Sequence, residues 1–408
     1  MKPKRRRKWL SNILLILGSL LFASLIGEVG LRILGLSYPL FMQVDPVLGW
    51  KFRPNTEGWS IHERKAYVRT NAEGFRDFDH KKTKGENTYR IAVLGDSFTE
   101  ASNVSLEEAF PKVIEMQLKT CPRLAGKRIE CLNFGVSGYG TAQEYLLLQR
   151  EVVSYHPDLV VLGFFNGNDV GDNVRDLSIG DQKIRPYYQL KKGRLILDNS
   201  FRSSKEYRNK YIITMVLGKI INHSYLLQTI KQIYVSRVLS ELARKMDGDK
   251  SGRKDRGPEL VPPVYREMFE LKQDQHWAKA WSITEALLVA MRNYLQKRGI
   301  DFLIIVIPSP VQAHPVPEVR QRSMEAFGLQ DLSSPEKRMT EIAVRHRLPV
   351  LMLLDPMQRV GEAGKIYFYG FPPHPGFGHW NEAGNRLAGE IIARHICKHL
   401  GGSRRWTP

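Results

Sequence analysis

The stretch Arg90-Ile-Ala-Val-Leu-Gly-Asp-Ser97-Phe-Thr-Glu100 offers a serine hydroxyl directly behind a short apolar run. Ile91 to Leu94 is continuous and partly β-branched, as a strand buried on both faces of a parallel sheet should be. Gly95 ends the run, and Asp96 and Ser97 suit entry into a helix carrying Phe110, Val113, Ile114 and Leu118. A serine at such a turn sits at the carboxyl end of a strand, where open α/β sheets hold their ligands. Alone, Gly-Asp-Ser reads as a turn with a helix cap. Three further stretches change that reading: Asn133-Phe-Gly-Val-Ser-Gly138-Tyr-Gly, Phe165-Asn-Gly-Asn168-Asp169, and Gly378-His379-Trp380-Asn381-Glu-Ala-Gly384. Each follows, or lies beyond, a predicted strand. The chemistry these residue types can support is ester cleavage, which needs an activated hydroxyl, a base and donors aimed at the developing oxyanion. Ser97 is the candidate nucleophile and its own backbone N–H one donor. His379 is the candidate base, taking the Ser97 proton and returning it to the leaving alcohol.

Together the four stretches resemble the four sequence blocks of the SGNH hydrolases, the GDSL-type esterase and lipase superfamily. The resemblance covers about residues 89–171 and 263–400. It implies that the backbone N–H of Gly138 and the side-chain amide of Asn168 complete an oxyanion hole with Ser97. The bland alternative for Asn168 is a strand-end turn former, and for His379 a histidine ahead of the helix cap Asn381. The longer pattern of an N-terminal anchor, Gly49-Trp-Lys-Phe-Arg-Pro-Asn55 and Asn71-Ala-Glu-Gly-Phe-Arg76-Asp is similar to membrane-anchored bacterial members, often associated with cell-surface glycans. One departure stands out. The family usually keeps an aspartate three residues before the histidine; here that position is Gly376, and His374-Pro-Gly-Phe-Gly-His379 contains no acid. A carboxylate normally holds the imidazole tautomer and steadies the imidazolium. The expectation is therefore a Ser-His dyad oriented by a backbone carbonyl, or an acid supplied from elsewhere, with Asp355 as a distant candidate and Asp169 nearer the site but read as structural. The region around His379 also resembles that of SGNH-like polysaccharide O-acetyltransferases of the bacterial envelope.

The elements that must position these residues alternate. Strands are predicted at 90–95, 128–134, 158–164, 301–307 and 349–354. Helices are predicted near 107–119, 141–154, 276–298, 335–347 and 381–399. Five strands alternating with helices imply a three-layer α/β sandwich on a five-stranded parallel sheet, SGNH or flavodoxin-like. Residues 172–262 interrupt it with 19 Lys and Arg against 10 Asp and Glu, a net +9. Within them a hairpin is predicted around Lys192-Gly193. Ile220, Leu227, Ile230, Ile233, Tyr234 and Leu239 pattern an amphipathic helical stretch over 212–245, broken near Asn222-His223. Residues 247–258 read as a mobile linker. The insertion is either a solvated helical decoration or a lid over the catalytic face.

Residues 9–27 carry no charge and follow Lys2, Lys4, Arg5, Arg6, Arg7 and Lys8. Nineteen residues at helical rise nearly span a hydrocarbon core, and the basic cluster holds the amino end in the cytoplasm. An uncleaved anchor fits better than a cleaved signal peptide, because the apolar run is long and no Ala-x-Ala site follows. Residues 28–88 form a strand-and-turn collar that the chemistry does not need. The net charge is +19, and about +13 without the six N-terminal basic residues, so the body itself is basic. Such a body attracts anionic lipid or acidic polymer; with no nucleic-acid motif, nucleic acid is not expected. Of the three cysteines, Cys121 and Cys131 could pair in an oxidising compartment, or Cys131 could be an ordinary buried strand residue. No Cys-x-x-Cys or Cys/His cluster suggests a metal site, and no cofactor is expected.

The sequence thus implies a cytoplasmic segment 1–8, an anchor 9–27, the collar 28–88, a catalytic domain 89–171 and 263–402, and the insertion 172–262. The expected protein is a single-pass inner-membrane serine esterase with its C-terminal domain in the periplasm or outside. It would remove an acyl group, O-acetyl by expectation, from a surface glycan. The alternatives are O-acyl transfer to an envelope polysaccharide and a non-catalytic glycan-binding or assembly protein on a degenerate fold. Expected partners are the acylated glycan, the membrane through residues 9–27, and exopolysaccharide assembly proteins.

Overall fold

The computed structural model describes residues 3–61, 63–178, 183–248, 266–270 and 274–400. Five parallel strands form the central sheet in the spatial order Val350–Met352, Asp301–Ile307, Leu159–Phe165, Thr88–Gly95, Arg128–Gly135. The strand Thr88–Gly95, which leads to Ser97, lies in the interior of the sheet, and all of its residues are buried. Continuous apolar runs form it because both faces are covered. Ala92 and Leu94 point into one core with Leu162 and Ile304, while Ile91 and Val93 point into the other with Val161 and Ile305. On the first face lie the helices Thr141–Arg150, Gln275–Gln296 and Ser334–His346; on the second lie Phe110–Leu118 and Glu382–His399. The chain is a three-layer α/β sandwich, as the alternation implies. The last strand is shorter than predicted and runs into a helix at Leu354–Gly364, so Asp355 is an exposed residue of a first helical turn.

Cys121 is joined to Cys397, fastening the helix Glu382–His399 beside the turn that follows Phe110–Leu118. Cys131 is a buried residue of the Arg128–Gly135 strand and is free. The Cys121–Cys131 pairing is therefore corrected: Cys131 is the ordinary buried strand residue.

The helix Pro3–Ile33 carries the uncharged run, and its stretch Lys8–Ile33 is long and apolar enough to cross a membrane. Beyond it the collar forms two antiparallel hairpins, Met42–Asp45 with Gly49–Phe52 and Glu57–Ile61 with Lys65–Arg69. The insertion contains the predicted hairpin, Tyr187–Lys191 with Arg194–Asp198, turned at Lys192 and Gly193, whose positive φ values of 48° and 72° suit a two-residue turn. Its helices follow as Lys205–Tyr211, Ile212–Leu217, Gly218–His223 and Tyr225–Gly248, with the break at Ser224. The predicted linker lies outside the described residues from 249 onward.

The insertion's helices pack on the collar and the end of the anchor helix rather than only decorating the core. Val44 N–H donates to Thr214 Oγ1 at 3.3 Å, and the Arg53 guanidinium donates to the Thr214 carbonyl. Several of their apolar residues remain uncovered by protein: Ile220 is 58% exposed and Ile230 53%.

Candidate active site

Ser97 opens the short helix Ser97–Glu100, and the Asp96 carboxylate caps it by accepting the Phe98 N–H at 2.9 Å. As the first residue of a helix, Ser97 has a backbone N–H with no intrahelical acceptor. His379 sits on the loop before Glu382–His399, held by a bridge between Tyr369 and Trp380. Asn381 fixes the loop's exit: its Oδ1 accepts the Gly384 N–H at 3.0 Å and its Nδ2 donates to the Tyr367 carbonyl at 2.8 Å. The Phe98 ring stands 5.0 Å from the imidazole and 5.2 Å from Trp380. This wall of aromatic rings limits where the imidazole can go.

The structure brings Ser97 and His379 together, with Oγ 2.7 Å from Nε2. It also supplies the carboxylate missing from the histidine loop. His379 Nδ1 lies 2.7 Å from Oε1 of Glu63, and the His379 backbone N–H donates to Glu63 Oε2 at 2.9 Å. Because a carboxylate can only accept, Nδ1 carries the proton and Nε2 is free to accept from the Ser97 hydroxyl. Glu63 lies at the tip of the hairpin Glu57–Ile61 and Lys65–Arg69. Its neighbour Arg64 pairs with Glu382 and lies over the Phe371 ring at 5.4 Å, seating the tip on the histidine loop. Gly378 completes the fit, since a Cβ there would lie 2.2 Å from Glu63 Oε1. The collar therefore contributes to the site, contrary to the expectation from sequence. Neither acid candidate does: Asp355 is exposed on its helix, and Asp169 is fully buried and accepts the Phe165 N–H at 2.8 Å.

The electrostatics suit a base. Burial alone would push the His379 imidazole down. The hydrogen bond and charge of Glu63, with the charges of Asp96 and Glu100, outweigh it and hold the pKa above the ordinary histidine value. Beneath the serine, burial lifts Asp96 to about 6 despite the pull of the Phe98 N–H and of His379. Deeper still, burial and the charges of neighbouring carboxylates, Asp96 among them, push Glu144 and Asp169 well above the usual carboxylate range.

Ser97, His379, Glu63 and Gly138 line one open cleft of about 640 Å³. Gly138 takes a φ of 75° beside the serine, a conformation that glycine adopts at no steric cost. Its carbonyl accepts from Arg185 at 2.9 Å, and Arg185 in turn pairs with Asp172 at 3.2 Å, both being fully buried. Asn168 is half-buried; its side chain bonds the Asp96 carboxylate next to Ser97, and its amide donates a long 3.4 Å hydrogen bond to Asp172 Oδ2. From the second block, Asn133 has a structural part, donating to the Thr99 carbonyl and accepting the Gly135 N–H, both at 2.8 Å.

Gly376, three residues before His379, holds a backbone that disfavours an acid at that position. Its φ is 89°, and a Cβ would lie 3.0 Å from the His314 ring. Gly376→Asp is therefore expected to lower Tm and to leave ester cleavage no better than wild type. A well-folded Gly376→Asp protein with raised kcat would show that the loop accepts the family's arrangement after all.

No protein-family model matches the chain, and no curated protein matches it in sequence. Among solved structures, it is similar to an acetyl xylan esterase, AlAXEase, at 14% identity over 75% of this chain and 99% of that one, with a TM-score of 0.37. A putative lipolytic protein of the G-D-S-L family from Desulfitobacterium hafniense has 14% identity over 75% and 99%, with a TM-score of 0.32. A lipase/acylhydrolase from Enterococcus faecalis has 14% identity over 76% and 96%, with a TM-score of 0.37. The chain's own five-stranded parallel sheet, helices on both faces and serine at the strand-end turn make it an SGNH-like α/β fold.

Proposed function

We propose that the chain is a serine esterase of the SGNH type, anchored in a bacterial inner membrane, with its catalytic domain on the exported side. The observation that carries this reading is the line from Ser97 Oγ to His379 Nε2 and, across the ring, from His379 Nδ1 to Glu63 Oε1, both hydrogen bonds at 2.7 Å. In the proposed reaction His379 takes the Ser97 proton as Oγ attacks the ester carbonyl, and Glu63 steadies the resulting imidazolium. The tetrahedral oxyanion is met by the backbone N–H groups of Ser97 and Gly138. The Asn168 amide adds a third donor by giving up its long bond to Asp172. His379 returns the proton to the leaving alcohol, and water then releases the acid through the same base.

The proposed substrate is an acyl ester, O-acetyl, on a cell-surface glycan. A cleft walled by Phe41, Trp50, Ser60, Ser102, Asn103 and Lys210 supports a sugar ring better than a bare acyl chain, since it offers aromatic faces beside hydroxyl and amide groups. The basic body supports an anionic glycan. Exported topology is supported by the basic residues ahead of 9–27 and by the Cys121–Cys397 disulfide, which belongs in an oxidising compartment. The test is labelling by a fluorophosphonate followed by acetyl release from an acetylated glycan. The expected result is a label lost in Ser97→Ala and acetate released to water. A chain that takes no label would be a binding protein, and acetyl passed to an added unacetylated glycan would make it a transferase.

A further inference from the structure

The helices of the insertion are built onto the end of the anchor helix. Glu28, one turn before that helix ends, caps the Tyr225–Gly248 helix from outside: its carboxylate accepts from Ser224 Oγ at 2.8 Å, Leu226 N–H at 2.9 Å and Tyr225 N–H at 3.1 Å. Arg32 pairs with Glu28 at 2.7 Å, donates to the His223 carbonyl at 2.6 Å and covers the Tyr225 ring. The stretch after the anchor is tied in too. Gln228 accepts from Ser37 Oγ at 2.9 Å and Tyr38 N–H at 2.6 Å, and Asn222 both accepts from and donates to Leu40. These bonds fix the helices at the level where the anchor's apolar run stops.

At that level they present an apolar face. Ile213 is 50% exposed, Ile220 58%, Ile230 53%, Ile233 49% and Tyr234 68%. Monomeric soluble proteins rarely leave so many large apolar groups uncovered together. The face is continuous with the anchor itself, whose Ile33 and Leu34 are also exposed. From Ile212 to Gly248 the same helices carry five basic residues, Lys219, Lys231, Arg237, Arg244 and Lys245, against the acidic Glu241 and Asp247. An exposed apolar helix face in a segment with a basic excess suits the surface of an anionic membrane.

We infer that the helices Gly218–His223 and Tyr225–Gly248, with the preceding turn at Ile212–Leu217, lie in the surface of the membrane that the anchor crosses, as a second, interfacial attachment. The occupant of the apolar face is the anionic leaflet on the side of the catalytic domain. A single crossing helix would leave the domain free to tilt and swing, whereas two attachments fix its orientation. Phe41, Met42 and Lys210 wall the Ser97 cleft, and Phe41 is eight residues past Ile33, at most about 30 Å of chain. The cleft is thereby held close to the leaflet, where it meets esters on membrane-borne or membrane-emerging chains. The inference rests on the anchor reading of Lys8–Ile33 and not on the catalytic one.

The test uses the full chain in vesicles of phosphatidylglycerol and phosphatidylethanolamine. Single cysteines at Ile220, Ile230 and Ile233 carry an environment-sensitive fluorophore; Leu21→Cys in the anchor and Val344→Cys on a distant exposed helix are the controls. Lipids brominated near the headgroup should quench the three insertion labels by about half or more, as expected for side chains 5–10 Å into the interface, and lipids brominated deep in their acyl chains should quench the mid-span Leu21 label. They should leave the Val344 label nearly unchanged, and aqueous iodide should show the reverse order. Insertion labels open to iodide and untouched by brominated lipid, with Leu21 quenched, would overturn this inference alone. Labels shielded from both quenchers would mean that a second copy covers the face, and would also overturn it. Absence of lipid quenching at Leu21 would overturn the anchor and the interfacial seat together.

Discussion

Ser97→Ala and His379→Ala should each lower kcat for ester cleavage by on the order of 10⁴–10⁶-fold, and the double variant should be little worse than either. The non-additivity is the informative part. Oγ and Nε2 are 2.7 Å apart and share one proton, so removing either group removes the same step. Neither side chain carries a helix cap, since Asp96 caps the Ser97–Glu100 helix and Asn381 the one after His379, and His379→Ala gives up only the imidazole's contacts with Phe98 and Glu63. Thermal melting of both variants should therefore stay close to wild type. What remains of the rate would come from binding and from the backbone donors, which the substitutions leave in place. A His379→Ala protein that cleaves ester at the wild-type rate would sink the whole catalytic assignment.

The serine and the histidine were legible in the sequence because each belongs to a local pattern. Ile91–Leu94 is a continuous apolar run stopped by glycine, and such a run places Ser97 at the end of a buried parallel strand. His379 precedes an asparagine cap and a helical pattern. Glu63 had no comparable signal. It is 316 residues from its partner, on a hairpin whose sequence says only that it turns. The clue was negative: a loop with no acid must borrow one. Asp169 is structural, as read, since burial beneath the site engages it with the Phe165 N–H, and Asp355 is no partner because the last strand is short and a helix turns it outward. The Cys121–Cys397 pair, 276 residues apart, was hidden for the same reason, since spacing favoured the nearer Cys131. In the insertion, periodicity gave the apolar side of the helices, but period alone does not say whether that side meets a core, water or lipid.

Glu63→Gln is expected to lower kcat by about 10²–10⁴-fold, toward the loss seen when the acid of such a triad becomes an amide. The amide has nearly the shape of the carboxylate, so the hairpin tip can still sit on the histidine loop through Arg64 and Glu382. What changes is charge and tautomer. A carboxylate fixes the proton on Nδ1, whereas a glutamine can turn its NH₂ toward Nδ1 and favour the tautomer with the proton on Nε2, which cannot accept from Ser97. The pH profile separates this from simple loss of packing. Glu63 helps to hold the His379 pKa above its ordinary value. Catalysis needs the neutral imidazole, so the wild-type acid limb should fall at a pH above the ordinary histidine range. Removing the Glu63 charge lowers that pKa, and the acid limb of kcat/KM should move to lower pH even as the plateau drops. Glu63→Asp keeps the charge but shortens the reach by one methylene, and should fall between the two in rate with a smaller displacement of the limb. Asp355→Asn, on its exposed helix, should change neither. If Glu63→Gln keeps the wild-type plateau and an unmoved acid limb, the imidazole is oriented by something else and Ser97 and His379 work as a dyad.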